Sequence, residues 1–583
     1  SAFLFSVGDY WATRYTYPTF EFEQSWLVEA AVQDTAVSTA PMQTRRTPAN
    51  TNLNLPTHQF TALGPAPLQS DGCDFCSPYG IVAGRTNVVV SHPVTPSIAF
   101  LGSGGGGIWK TDNCCDAETS WRPVTNNPLI AASAIGDLTI DPNNPQVLYA
   151  GTGDLRYGSW SFGSAGVLKS TDGGETWAVK GADVFGAAYE QAEGVFPQYQ
   201  AIGKVAVDPR NSQNVVATTK QGVYFSFDAA ENWTGPCYTN EFTTQRQDGT
   251  GLLLHDTGTV TELFVAIGTR GNPTTVQPDL NLNGANGIYK TTMPTTAVCP
   301  APTDWALLTR GDNGWPAVTG TGNPQTLVGR IDLAISPSNT AVMYAQVHHV
   351  GTSGLQAVYR TDDGGATWTQ GAVGADLKSC TGGSGNYAQN WYDQGIVVDP
   401  HNPNVTFMNT VDLWRSTDGG ATYTNITCGY SGGNNVHVDH HGLAYVGGDS
   451  SQLLISNDGG VYYTAVATKT ILVDDDFQQL NSTLNTIEFY SGDITANFAT
   501  ADQPGATGGA QDNGSMVKVW DVANGEPIGP AQWQGTTGGD GIYAQIEPKQ
   551  EQVWFQESQN GYLKRSTTGP LGSYAVLSNP WFS

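Results

Sequence analysis

The sequence predicts an all-β protein, a large β-propeller of four-stranded blades, and three observations predict it. One hairpin recurs: GVLKSTDGGETW at 166–177 returns as VYRTDDGGATW at 358–368 and as LWRSTDGGATY at 413–423. A turn of Asp-Pro-x-Asn type also recurs, at 141–145 (DPNNP), 208–212 (DPRNS), 336–340 (SPSNT) and 399–403 (DPHNP). It joins strands of period-2 hydrophobicity at roughly 50–60-residue intervals, the sequence form of a propeller blade. Composition agrees: Gly is 70 of 583 residues and charged residues are only 13%, which suits sheets and turns better than helices.

Residues 1–56 lack the repeat and read as an N-terminal arm and linker packed on a propeller that occupies 57–583. Tyr10, Trp11, Tyr15, Tyr17 and Phe20 argue for a packed arm over a free one. Nine first strands follow, at 86–91, 137–140, 204–207, 251–255, 331–335, 395–398, 442–446, 488–494 and 542–546. A single ring of about 8–10 blades accommodates them, with two smaller rings as the alternative. The segment 58–68 is expected to lend a strand to ring closure. Degenerate hairpins sit at 110–121 and 226–233, the second carrying Ala230 where the others have Gly.

Within each hairpin, Asp172, Asp363 and Asp418 are placed to accept backbone amides across the turn. The following Gly takes the left-handed conformation and the terminal aromatic plugs the space beneath. These acids are therefore structural.

The net charge of −27 and a pI near 4.4 exclude nucleic acid and anionic membrane surfaces as partners, because the summed field repels both. No apolar run approaches the roughly 20 residues that span a bilayer. The eight cysteines group as Cys73 with Cys76, Cys114 with Cys115, Cys237 with Cys299 and Cys380 with Cys428. Such grouping suits disulfides and a secreted, extracellular or cell-surface location, and the Ser-Ala-Phe start reads as a processed N-terminus.

Strand direction locates the functional face. The Asp-Pro turns and the recurrent hairpins share one end of the blades, so starts of first strands and ends of second strands share the other, around the channel mouth. That end collects the ligand-binding candidates Asp154, Arg156, Tyr157, Arg330, Trp391, Tyr392, Asp458, Gln511, Asn513 and Gln559. Acids, amides and aromatics of this kind suit a polyhydroxylated ligand. Asp393, Asp512, Asp540 and Glu557 are the candidates for the paired carboxyls of a glycosidase. Each can equally cap its own loop. Arg85, Arg156 and Arg330 with Tyr157 and Tyr392 match the needs of a sialidase, but the Arg-Ile-Pro signature is missing. His437, Asp439 and His441 alternate along a strand and so share one side, a candidate metal set. The rim can also hold Ca2+ or another divalent metal through Asp and Asn, and no other cofactor is indicated.

The hairpin resembles the Asp-box, or bacterial neuraminidase repeat, of sialidases, two-propeller xyloglucanases and sortilin-type receptor domains. Further stretches, among them SAIGDLTIDPNNP at 133–145 and WYDQGIVVDP at 391–400, look like large secreted bacterial propeller proteins termed glycosyl-hydrolase-like or sortilin-like. The resemblance implies the propeller fold and secretion more directly than a reaction. The Asp-Ile-Gly-Gly segment that carries the xyloglucanase nucleophile would fall at Thr111-Asp112-Asn113-Cys114, where this sequence departs. Two functions follow: binding of a glycan at the channel mouth with cleavage of glycosidic bonds, or a non-catalytic extracellular scaffold that meets another extracellular protein.

Overall fold

The computed structural model describes residues 62–577 apart from 72–77, 157–162, 190–197, 238–247, 269–285, 310–313, 316–327 and a few single positions; of residues 1–61 it describes Glu29 and Val32. The arm expected at 1–56, Cys73, Cys76 and Tyr157 thus lie outside the described residues.

Seven four-stranded antiparallel sheets follow one another round a ring, at 86–123, 135–180, 202–237, 248–307, 331–373, 395–425 and 440–479. The first strand of each lies beside the first strand of the next, and His440–Tyr445 of the seventh blade lies beside Thr86–Ser91 of the first. Acids on these inner strands link neighbours: Asp137 accepts the Val205 amide at 2.8 Å and Asp332 accepts the Ile396 amide at 3.2 Å. At the closing joint Gly442 is required, since a Cβ there would stand 3.0 Å from Val89 N and 3.1 Å from Val88 Cα. Val89, Leu101, Trp109 and Trp121 of the first blade share one core with Val446, Leu454, Val461 and Leu480 of the seventh. The Trp121 indole donates to the Leu480 carbonyl at 2.9 Å. A cavity of about 220 Å3 is lined from all seven blades, by Asn87, Asp137, Lys204, Thr250, Asp332, Gln394 and His441 among others.

Two further sheets, spanning 489–537 and 541–576, stand outside that ring and pack on each other. Asp493 accepts the Ile546 amide at 2.8 Å, repeating the link between ring blades. All nine expected first strands are present, but the ring closes at seven and leaves a pair, unlike the favoured single ring of 8–10. Closure depends on how closely inner strands approach, which a count of strands does not carry. The strand loan expected from 58–68 also goes elsewhere. Leu68–Gln69 runs parallel to Trp533–Gln534 of the eighth sheet and antiparallel to Ile81–Val82. The seventh blade has four strands of its own, so ring closure needs no loan. This extended sheet docks on the ring through a shared core of Leu68, Val82, Met516, Trp520 and Trp533 with Val411 and Val438.

The recurrent hairpins cap the outer ends of third strands. Asp172 accepts Thr176 N at 2.9 Å and Thr176 Oγ1 at 2.6 Å, and Asp363 and Asp418 repeat both bonds. Ala230, in the degenerate copy, holds the same left-handed turn at φ 71° and donates to Ser226 Oγ as Gly174 does to Ser170 Oγ. Disulfides join Cys114 to Cys115, Cys237 to Cys299 and Cys380 to Cys428, matching the sequence grouping. Among the described residues no helix is long and apolar enough to cross a membrane.

Candidate functional site

The inner-strand starts and second-strand ends converge where the ring meets the outer pair. Asp393 and Gln394 precede the strand Gly395–Val398, Asp439 precedes His440–Tyr445, and Asp458 sits in the tight turn between Leu453–Asn457 and Gly460–Thr464. Asp512 comes from the eighth sheet, in the turn between Gly505–Ala510 and Gly514–Val519. That turn is fastened to the ring: Asn513 Nδ2 donates to the Asp458 carbonyl at 3.0 Å, and His437 Nε2 lies 3.3 Å from the Asp512 carbonyl.

One half of the site is charge-matched. Arg85 donates to Asp154 at 2.7 Å, and Arg156 approaches the other Asp154 oxygen at 3.4 Å. Burial pushes the Asp154 carboxyl up, but the two guanidiniums overcome it and hold the group below its ordinary range. Glu488 lies 3.5 Å from Arg85 and keeps some exposure; burial raises its carboxyl, with Arg85 pulling the other way. Arg330 donates to the Tyr392 carbonyl at 2.7 Å, and burial beside Arg156 lowers it to about 10.

The other half is rich in acid. Asp458, fully buried, takes the Tyr392 hydroxyl at 2.7 Å and lies 2.7 Å from His441 Nε2. Burial raises Asp458, but His441, Arg85 and Tyr392 prevail and lower it. Burial also brings His441 down to about 4 and His440 to about 3. Asp393 has no exposed surface, and its carboxylate oxygens meet no donor other than a proton shared with the Asp439 carboxyl. Burial, then the charges of Asp439, Asp458 and Asp512, push it well above the ordinary range. Burial and then Asp458 raise Asp439, against hydrogen bonds from Gln389 and Asp393, and burial, Asp458, Asp439 and Asp540 raise Asp512; both have left-handed backbones, at φ 64° and 56°. One oxygen from each of Asp439, Asp458 and Asp512 lies within 4.8 Å of the others.

The structure thus gathers Asp154, Arg156, Arg330, Tyr392, Asp393, Asp439, His441, Asp458, Asp512 and Asn513. Trp391 flanks them, its ring 5.7 Å from that of Tyr392. Asp540 joins through the Asp512 amide at 2.8 Å and carries Gln559 at 3.0 Å; the Gln511 amide donates to the Glu488 carbonyl. Glu557 lies on the strand Trp554–Ser558, and no described interaction ties it to the cluster. The set His437, Asp439 and His441 does not form on one side of a strand. Asp439 has a positive φ and the strand begins only at His440, so alternation fails there. His437 instead bonds main-chain carbonyls and His441 bonds Asp458. Sequence reasoning missed Glu488 as a site residue, although it opens the eighth first strand, the position class that yielded Arg85 and Arg330. It also missed the exposed rings of Tyr430 and Tyr490, which face the acids.

No protein-family model matches the chain. It is similar to a xyloglucanase of Hypocrea jecorina (strain QM6a), 24% identical over 375 residues, covering 58% of this chain and 38% of the relative. The chain thus spans about two fifths of that relative's length. Among solved structures it resembles the GH74 enzyme of Niastella koreensis, with TM-score 0.53 and 16% identity over 88% of this chain and 67% of that one. The GH74 xyloglucanase of Xanthomonas campestris gives TM-score 0.54 and 15% identity over 86% of this chain and 69% of that one. Likeness at these identities shows the propeller fold.

Proposed function

We propose that this protein is a secreted glycoside hydrolase that binds a polysaccharide across the seam between the seven-bladed ring and the outer pair of sheets. The observation that carries this reading is the gathering there of reachable carboxyls, Glu488 and Asp540, beside the exposed phenol ring of Tyr490, with the exposed ring of Tyr430 near Asp439 and Asp512. The Tyr490 hydroxyl is raised to about 12 by burial and by facing Asp540, Asp512 and Glu488, so ring and acids share one surface. Carboxyls protonate the leaving oxygen and activate the attacking group, while aromatic faces stack on sugar rings. Asp393 has no exposed surface to offer a substrate, and no described interaction ties Glu557 to the site. Of the remaining two candidates Asp512 gathers with Asp439 and Asp458, so the reading rests on Asp540, with Glu488 as acid. Likeness to a xyloglucanase supports β-glucan chains as the class to test, and the disulfides support secretion.

The test is a digestion panel of xyloglucan and other soluble β-glucans, read as reducing ends released. Glu488→Gln should lower turnover by about 10²–10⁴-fold, the usual contribution of a general acid, with little change in melting temperature. Full activity in both Glu488→Gln and Asp540→Asn, or no product from any polysaccharide, would overturn the proposal.

A further inference from the structure

We propose that Asp439, Asp458 and Asp512 hold one divalent cation, with Ca2+ the best match to their oxygen donors, and that it fastens the eighth sheet to the ring. Oxygen ligands lie about 2.4 Å from Ca2+, so ligands on opposite sides of one ion stand about 4.8 Å apart. The three carboxylate oxygens are within 4.8 Å of one another, which a single ion can bridge.

Asp393 supplies independent support. It has no exposed surface, its oxygens meet no donor other than a proton shared with the Asp439 carboxyl, and the charges of Asp439, Asp458 and Asp512 bear on it. One Asp439 oxygen is likewise buried without a partner. Buried carboxylates without donors are costly unless a positive charge meets them. Of the nearby cations, Arg85 and Arg156 pair with Asp154, and Arg330, whose charge reaches Asp393, gives its hydrogen bonds to main-chain carbonyls. The donors are all oxygen, and His441 is turned to Asp458, which favours a hard cation over zinc.

The ligands come from the start of the seventh blade, its second turn and the eighth sheet. An ion there ties parts of the molecule that are otherwise joined, among the described residues, by a docking core and polar bonds such as Asn513 to the Asp458 carbonyl.

The test needs no substrate, so its failure and that of the hydrolase reading are distinguishable. The full chain is stripped with EDTA and titrated with Ca2+ and, separately, Mg2+, following melting temperature and calorimetric binding. The expected result is one ion per chain, a melting temperature that rises to saturation with Ca2+, and a weaker response to Mg2+. Asp512→Asn, in a partly exposed turn, should keep the wild-type circular dichroism spectrum and weaken binding more than about 10-fold. Absence of stoichiometric binding, equal binding by Asp512→Asn, or a stripped protein that responds to acidification but not to Ca2+, would overturn the proposal. The last outcome would mean that protons shared among the carboxyls do what we assign to the cation.

Discussion

The hairpin aspartates and the seam aspartates are the same residue under opposite conditions. Asp172 is exposed and saturated: Thr176 N, Thr176 Oγ1, Glu175 N and Ser170 Oγ all donate to it. Burial pushes it up slightly, but those donors prevail and bring it to about 2. Asp363 and Asp418 are lowered in the same way. Asp393 is buried, lacks donors and is pushed the other way by neighbouring acids. An acid that completes a turn brings its donors within a few residues. One that gathers with other acids across three blades has no local supply and needs a partner from elsewhere. Asp154 stands between these extremes, buried but matched by Arg85 and Arg156.

That middle case offers the largest test. Asp154→Asn keeps the shape and removes the charge, leaving two buried guanidiniums without their counter-ion. Breaking a buried pair in this way costs about 3–5 kcal/mol. Urea unfolding should show such a loss, and one below about 1 kcal/mol would mean that water or Glu488 compensates the arginines, collapsing the distinction between the matched and unmatched halves. Asp172→Ala should cost less, about 1 kcal/mol, because water reaches the turn amides it abandons. Polysaccharide binding and the Ca2+ response should be untouched. A change in either would mean that the hairpin end of the blade reaches the site.

The sequence carried the blades well because their determinants are local. Ser170, Asp172, Gly174 and Trp177 lie within one turn, and copies in register multiply the signal. The gathering of Asp154, Asp393, Asp458 and Asp512 at one end of the blades was legible from strand direction alone. Ring size was not legible, since it is set by contacts such as Gly442 against Val88–Val89, some 350 residues apart in the chain. The expected one-sided set of His437, Asp439 and His441 broke at one backbone angle: a positive φ at Asp439 takes it out of strand alternation, and Asp carries no mark of that in sequence. Glu488 was passed over because its meaning depends on Arg85, about 400 residues earlier, reaching it across the seam between ring and eighth sheet.

The smallest expected effect separates the two classes by the sign of their pH dependence. A carboxyl whose folded value lies below its unfolded one adds stability above the unfolded value, and that stability is lost as pH falls through the folded value. For Asp172 the window runs from 3.8 down to about 2. Acids raised by burial act oppositely. Asp412, raised to about 6 by burial against the pull of Asn425, favours the folded state below 3.8 and loses that advantage as pH climbs through about 6. The whole-protein profile therefore mixes both signs, and the informative quantity is the difference between wild type and Asp172→Ala. That difference should be constant above pH 4, shrink between 3.8 and about 2, and be insensitive to the region near 6. Melting temperatures across this range measure it directly. A difference that grows on acidification would show that Asp172 is held as a neutral acid, the behaviour of the seam and not of a saturated turn.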